Sequence, residues 1–216
     1  MLSTTLLLLC MLSSWQPLHA GGGKRPSTIR SDLKALIRYT QLEINGFVDT
    51  CTTSAEYENV LLTLFPAVNI LRLKHHPDIK IRTSGQTSVA LLGRTDSPDQ
   101  HNSKLDTVLS ELGYSACPEF VRITDYAGYE LEVLRGATAT LKCTKIVCVS
   151  GNVMRKNSTF PFAADVISFM NDNNFAIYNT YENHRVRFFN VVIDMLFVKK
   201  EMMDEMYEVG YKDFIA

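Results

Sequence analysis

Three acids fall where a fold of alternating strands and helices could use them. Asp49 ends the strand candidate Ile44–Asp49, Asp125 follows the apolar run Phe120–Ile123, and Asp194 sits inside the apolar strand Val191–Val198. Ligands of an open parallel sheet bind at the carboxyl ends of its strands. Asp49 and Asp125 are therefore the candidates to face a ligand, while Asp194 reads more plainly as a hydrogen-bonded structural acid. A nucleoside cofactor would need a Gly-rich turn after the first strand and an acid after the second to grip the ribose hydroxyls. It would also need polar groups after the fourth strand to meet the reacting end. Other chemistries find little support. His75-His76 reads as a solvated strand end, because only one ring of an extended pair can face a given metal. Cys143 and Cys148 lack the spacing of paired zinc ligands, and Ser150-Gly151 belongs to no G-x-S-x-G elbow.

The elements that must position these groups follow from the apolar pattern. Leu33, Leu36 and Ile37 predict a helix over Thr28–Tyr39, begun by Ser31. Thr53 and Glu56 form a capping box for the next helix, which turns Val60, Leu61 and Leu64 inward. Strands are expected at Ala67–Leu73, Lys80–Arg82, Ser88–Leu92, Phe120–Thr124, Lys145–Val149, Ala176–Asn179 and Val191–Val198. Leu105–Leu112 is a helix; Leu131, Leu134 and Leu141 share the face of another, and Pro161 starts a third with Phe162, Val166, Phe169 and Met170 inward. Alternation of this kind predicts an α/β fold with a mainly parallel sheet covered on both faces. The stretch from Thr180 to Asn190 has no helix pattern, so the last two strands are expected to be antiparallel neighbours.

Residues 1–20 read as a signal peptide: a short apolar core, Leu6–Leu12, then a more polar stretch ending in Ala20. The run is too short for a membrane span, and no later stretch reaches that length. Residues 21–45 form a leader and amino-terminal helix, 46–200 the domain, and 201–216 an acidic tail for which a short edge-packed helix is the plainer reading. A net charge of −1 makes no electrostatic case for nucleic acid or an acidic membrane. Asn157-Ser158-Thr159 is a glycosylation sequon in an exported chain. Cys51, Cys117, Cys143 and Cys148 remain after cleavage, enough for two disulfides. Cys117 and Cys143 each lie just before a strand. If those strands are parallel neighbours, the two cysteines meet at one amino edge within bridging range. Cys148 is expected as a small core residue, with Cys51 left free.

The segment DYAGYELEVLRGA, from Asp125 to Ala137, resembles the central signature of the FkbM-type methyltransferases, usually close to IDVEGYELEVLKGA. Phe47–Thr53 is similar to that family's DVGANIG segment, Leu64-Phe65-Pro66 to its LFP, and Leu71–Pro77 to its AFEPNP. The resemblance implies a Rossmann-like class I fold, S-adenosylmethionine as methyl donor, and Asp49 and Asp125 as site acids. It also marks departures. Thr50–Thr53 carries no glycine, and Thr50, Thr52 and Thr53 are branched, which resists positive φ and holds a ligand off the backbone. Lys74 stands where the resemblance places the ribose-binding acid, inverting the hydrogen bonding to a diol. Ala127 replaces a Glu, and Val149-Ser150-Gly151 replaces a segment that often holds another. With those neighbours gone, Asp125 reads first as a helix cap. The expectation is a secreted, degenerate member with no cofactor, serving as an extracellular or matrix component or binding module with partners unknown. The alternative is a working O-methyltransferase of a sugar or small molecule using S-adenosylmethionine.

Overall fold

A single twisted sheet organises the chain. The computed structural model describes residues 28–50, 55–75, 82–84, 87–92, 104–114, 117–124, 130–153, 161–186 and 189–215. Among these, the strands are β1 (Gly46–Asp49), β2 (Asn69–His75), β3 (Arg82–Ser84), β4 (Thr87–Leu92), β5 (Phe120–Ile123), β6 (Ile146–Asn152), β7 (Phe175–Val186) and β8 (Phe189–Lys199). The helices are α1 (Thr28–Thr40), α2 (Ala55–Leu64), α3 (Leu105–Glu111), α4 (Glu130–Arg135), α5 (Thr138–Cys143), α6 (Ala163–Asp172) and α7 (Lys200–Ile215). The strand order is β3-β4-β2-β1-β5-β6-β8-β7. Strands β4, β2, β1, β5 and β6 run parallel, β8 turns against β6, and β7 pairs antiparallel with β8. The fold is the expected one: an open, mainly parallel Rossmann-like methyltransferase sheet ending in an antiparallel pair.

Strands β1 and β5 are buried along their whole length, and β6 up to Gly151, because helices cover both faces. On one side α3, α4, α5 and α6 pack Leu105, Val108, Leu134, Leu141, Val166 and Met170 against Val48, Val121, Val147 and Phe197. On the other, α1, α2 and α7 pack Leu33, Leu36, Leu61 and Met202 against Phe47, Phe120, Ile146 and Leu196. Neighbouring residues of one strand thus serve different cores, as the two-residue side-chain period requires.

Several elements depart from expectation. The helix predicted through Leu131, Leu134 and Leu141 is two helices, broken at Gly136-Ala137. The cause lies 30 residues upstream in a neighbouring helix of the same layer: Asp106 of α3 accepts hydrogen bonds from the Ala139 and Thr140 amides at 2.8 Å and from the Thr140 hydroxyl at 2.6 Å. That carboxylate starts a new helix from a distance, satisfying orphan donors. Gly136 allows the junction to sit close, since a Cβ there would lie 3.1 Å from the Lys104 Cα. The segment Thr180–Val186, read from the sequence as part of the connection between the last two strands, continues β7 because it pairs with Phe189–Met195. An edge strand, β3, pairs antiparallel with β4. Helix α1 begins at Thr28 rather than Ser31, and the tail forms the 16-residue helix α7.

At the amino edge of the sheet, Cys117 and Cys143 form a disulfide with Cα atoms 6.0 Å apart. Phe120 of β5 and Ile146 of β6 are register partners just beyond it. The same edge is tied without the sulfurs: the Thr144 hydroxyl donates to the Pro118 carbonyl at 3.0 Å, and the Lys145 and Ile146 amides donate to the Glu119 carbonyl. Cys148 is free and buried in β6. Cys51, the leader through residue 27, the capping box at Thr53 and the sequon at Asn157 lie outside the described residues.

Candidate functional site

Strand order reverses direction between β1 and β5: from β1 the chain builds outward to β2 and β4, then returns to lay β5 on the other side. Ligands of open α/β sheets sit at the carboxyl ends of the strands at such a point. Asp49 ends β1 there. Its register partners are Arg72 on β2 and Arg122 on β5, and Arg122 in turn faces Cys148 on β6. Register partners project to the same side of a sheet, so these four residues form one row across the face covered by α1, α2 and α7.

The row alternates in charge. Arg72 pairs with Glu58 of α2. The Arg122 guanidinium lies 3.5 Å from Asp49 Oδ2, and the two residues are 5% and 1% exposed. Tyr57 of α2 closes the row from above: its ring lies 3.9 Å under the Arg122 Cζ, a buried cation–π contact. The Tyr57 hydroxyl and Cys148 Sγ are 3.6 Å apart. Burial, then the negative field of Asp194, pushes the Cys148 thiol up to about 12. Burial likewise raises the Tyr57 phenol, with Cys148 adding to it. Neither group supplies an anion at neutral pH, so Cys148 is no nucleophile.

Beyond the row, the strand ends carry hydroxyls. Thr50 donates its amide to the Arg122 carbonyl at 3.0 Å, tying the end of β1 to β5. The side-chain hydroxyls of Thr50 and Thr124 are buried, in residues 2% and 1% exposed, and have no hydrogen-bond partner among the described residues; neither has Asn152 Oδ1 at the end of β6. Ser150 and Asp194 are cross-strand partners, and the Ser150 hydroxyl donates to Asp194 Oδ1 at 2.5 Å, a structural bond between β6 and β8.

Of the residues singled out in the sequence, Asp49 and Thr50 meet at the switch point, and Lys74 is the penultimate residue of β2, opposite Leu91 of β4. Asp125 and the residues through 129 lie outside the described residues. Arg122 and Tyr57 were not singled out. The signal for Arg122 was present: a cation inside a four-residue strand that is otherwise apolar must find a buried counter-charge. Tyr57 carried no signal separable from an ordinary helix aromatic.

The acid of β1 is engaged by an arginine on the buried face. Among the described residues no cluster of His, Cys, Asp or Glu can hold a metal ion, and no helix is long and apolar enough to cross a membrane. A cleft of about 360 Å³ opens at the opposite, amino edge between Tyr114, Thr140 and the disulfide, where the Asp106 oxygens are already taken up in capping α5.

No protein-family model matches the chain, and no curated protein matches it in sequence. Its backbone is similar to that of a precorrin-6y C5,15-methyltransferase from Geobacter metallireducens, at 13% identity over 83% of this chain and 93% of the other, with a TM-score of 0.45. It is also similar to a putative hemolysin from Streptococcus thermophilus (11% identity, 91% and 80% coverage, TM-score 0.42). A magnesium protoporphyrin IX methyltransferase from Synechocystis, solved with SAH, aligns at 12% identity over 83% and 90% of the two chains, TM-score 0.36. It is the strand order, not these distant likenesses, that defines the class: a Rossmann-like methyltransferase fold.

Proposed function

We propose that this chain is a secreted, FkbM-like protein of methyltransferase fold that does not use S-adenosylmethionine efficiently and acts as an extracellular binding module or matrix component. The observation that carries the reading is the Arg122–Asp49 pair. In the sequence resemblance, Asp49 is the acid retained at the end of the first strand; here a buried guanidinium holds its carboxylate. The absence of glycine from Thr50 to Thr53 and the cation at Lys74 act in the same direction. The apolar start of the chain, the sequon at Asn157 and the Cys117–Cys143 disulfide support export into an oxidising compartment.

One observation favours a second reading. Buried hydroxyls without partners at Thr50 and Thr124 are costly unless something polar meets them. An O-methyltransferase of a sugar or small molecule, drawing on Asp49 and Asp125, would bring such a group. Calorimetric titration with S-adenosylmethionine decides between the two. The leading reading expects no binding tighter than about millimolar, roughly −4 kcal/mol. Micromolar binding overturns it in favour of the enzyme.

A further inference from the structure

Helices α1 and α7 pack against each other and against the same face of the sheet, since Ile29, Leu33 and Leu36 share one core with Met202 and Met206. Their outward sides therefore form one solvent-facing surface, and its charges are sorted by helix. On α1, Arg30, Lys34 and Arg38 are exposed at spacings of four, which draws them into a single stripe. On α7, Asp204, Glu205 and Glu208 are exposed, beside Tyr207 at 66% and Val209 at 38% exposure. Among the described residues no ion pair joins the two stripes, and none of these six side chains has a charged partner.

We propose that this surface is a two-fold interface with a second copy of the same chain, the basic stripe of each α1 lying on the acidic stripe of the partner's α7. A surface with a basic stripe beside an acidic one is complementary to itself when rotated by half a turn, and such an isologous contact closes as a dimer rather than growing into a filament. Any other partner would have to present both signs side by side in the same arrangement, a demand that an identical chain meets without further assumption. Helices of 13 and 16 residues are about 20 and 24 Å long and about 10 Å wide. Their joint face is about 450 Å², below the roughly 800 Å² per partner of a standard stable interface. The dimer is therefore weak, held by charge around Tyr207 and Val209, and sensitive to salt. This inference is independent of whether the chain binds a methyl donor.

Sedimentation velocity on the full chain, together with two charge-reversed variants, tests it. The parent is expected to dimerise at low ionic strength and to dissociate in about 0.5 M sodium chloride, where the Debye length is about 4 Å. The variants R30E/K34E/R38E and D204K/E205K/E208K alter only exposed side chains, and thermal melts check that each folds. Each alone is expected to dimerise at least tenfold more weakly than the parent, because every stripe then meets its own sign. An equimolar mixture is expected to restore a dimer containing one of each, since both stripe pairs are again opposite in sign. A parent that stays monomeric at low salt overturns the proposal and leaves the surface to a different protein. A dimer that survives both reversals, or that salt does not weaken, overturns it as well, whatever the variants' folding.

Discussion

Arg122 and Asp49 stand opposite each other on adjacent strands, with guanidinium and carboxylate 3.5 Å apart at the point where strand order reverses. Phe47 and Phe120 precede them on the same face, and Tyr57 roofs them, so neither charge has bulk water to fall back on. Breaking such a pair costs more than replacing it whole, because the survivor is left charged and desolvated. Arg122→Met is expected to lower unfolding free energy by about 3 kcal/mol or more. The double variant D49N/R122M is expected to restore more than half of that loss. Urea denaturation of the two single variants and the double one gives the coupling, and an R122M chain as stable as the parent would show that Asp49 is carried by other groups.

The second expectation concerns helix α5, whose start depends on Asp106 across a tertiary contact. Three donors converge on this carboxylate: two amides and the Thr140 hydroxyl. Asp106→Ala removes them together and is expected to cost about 1–2 kcal/mol, in the range of a lost helix cap. Asp106→Asn keeps one acceptor oxygen and is expected to cost less. If the Ala variant melts with the parent, solvent satisfies the α5 amides equally well.

That cap also marks what the sequence could convey. The strands β1, β5, β6 and β8 were legible as short apolar runs because both faces of a parallel sheet need apolar residues. The disulfide followed from the same strand assignments, since parallel neighbours align their amino ends. The break at Gly136-Ala137 was not legible: Leu131, Leu134 and Leu141 keep to one helical face straight through it, and the group that interrupts the helix is distant in sequence. Nor was the length of β7, where Thr180–Val186 is polar and becomes strand only because β8 pairs with it. Arg122 was legible in principle and passed over, hidden by the apolar neighbours that made its strand recognisable.

The disulfide is expected to stabilise without being required. It links positions 26 apart, for which loop entropy gives roughly 3 kcal/mol. The Thr144–Pro118 and Lys145–Glu119 hydrogen bonds hold the same edge in its absence. Thermal melts with and without reductant are expected to show a lower midpoint and a retained cooperative transition. A reduced chain that loses its transition altogether would make the covalent link essential to the edge.

Alkaline pH is expected to loosen the face that α1, α2 and α7 cover. Cys148 and Tyr57 are neutral while protonated, and burial makes each hold its proton more tightly in the fold than in the unfolded chain. Tyr178 is pushed up to about 12 in the same core, by burial first and then by Asp32. Above the ordinary thiol value of 9.0 the folded chain therefore binds more protons than the unfolded one, and unfolding becomes easier as pH rises. The contribution of Cys148 is present in full below 9.0 and is lost progressively up to about 12. Tyrosine begins a unit higher, from 10.0. Each group can remove roughly 1 kcal/mol per pH unit inside its window. Urea midpoints between about pH 8 and 11 should fall with a slope that steepens as tyrosine joins the thiol. Cys148→Ala removes the earlier contribution, so its profile is expected to stay level until tyrosine begins to ionise. A parent profile that is flat across this range, or a C148A profile that bends at the same pH as the parent, would mean that these protons are not held by the buried face.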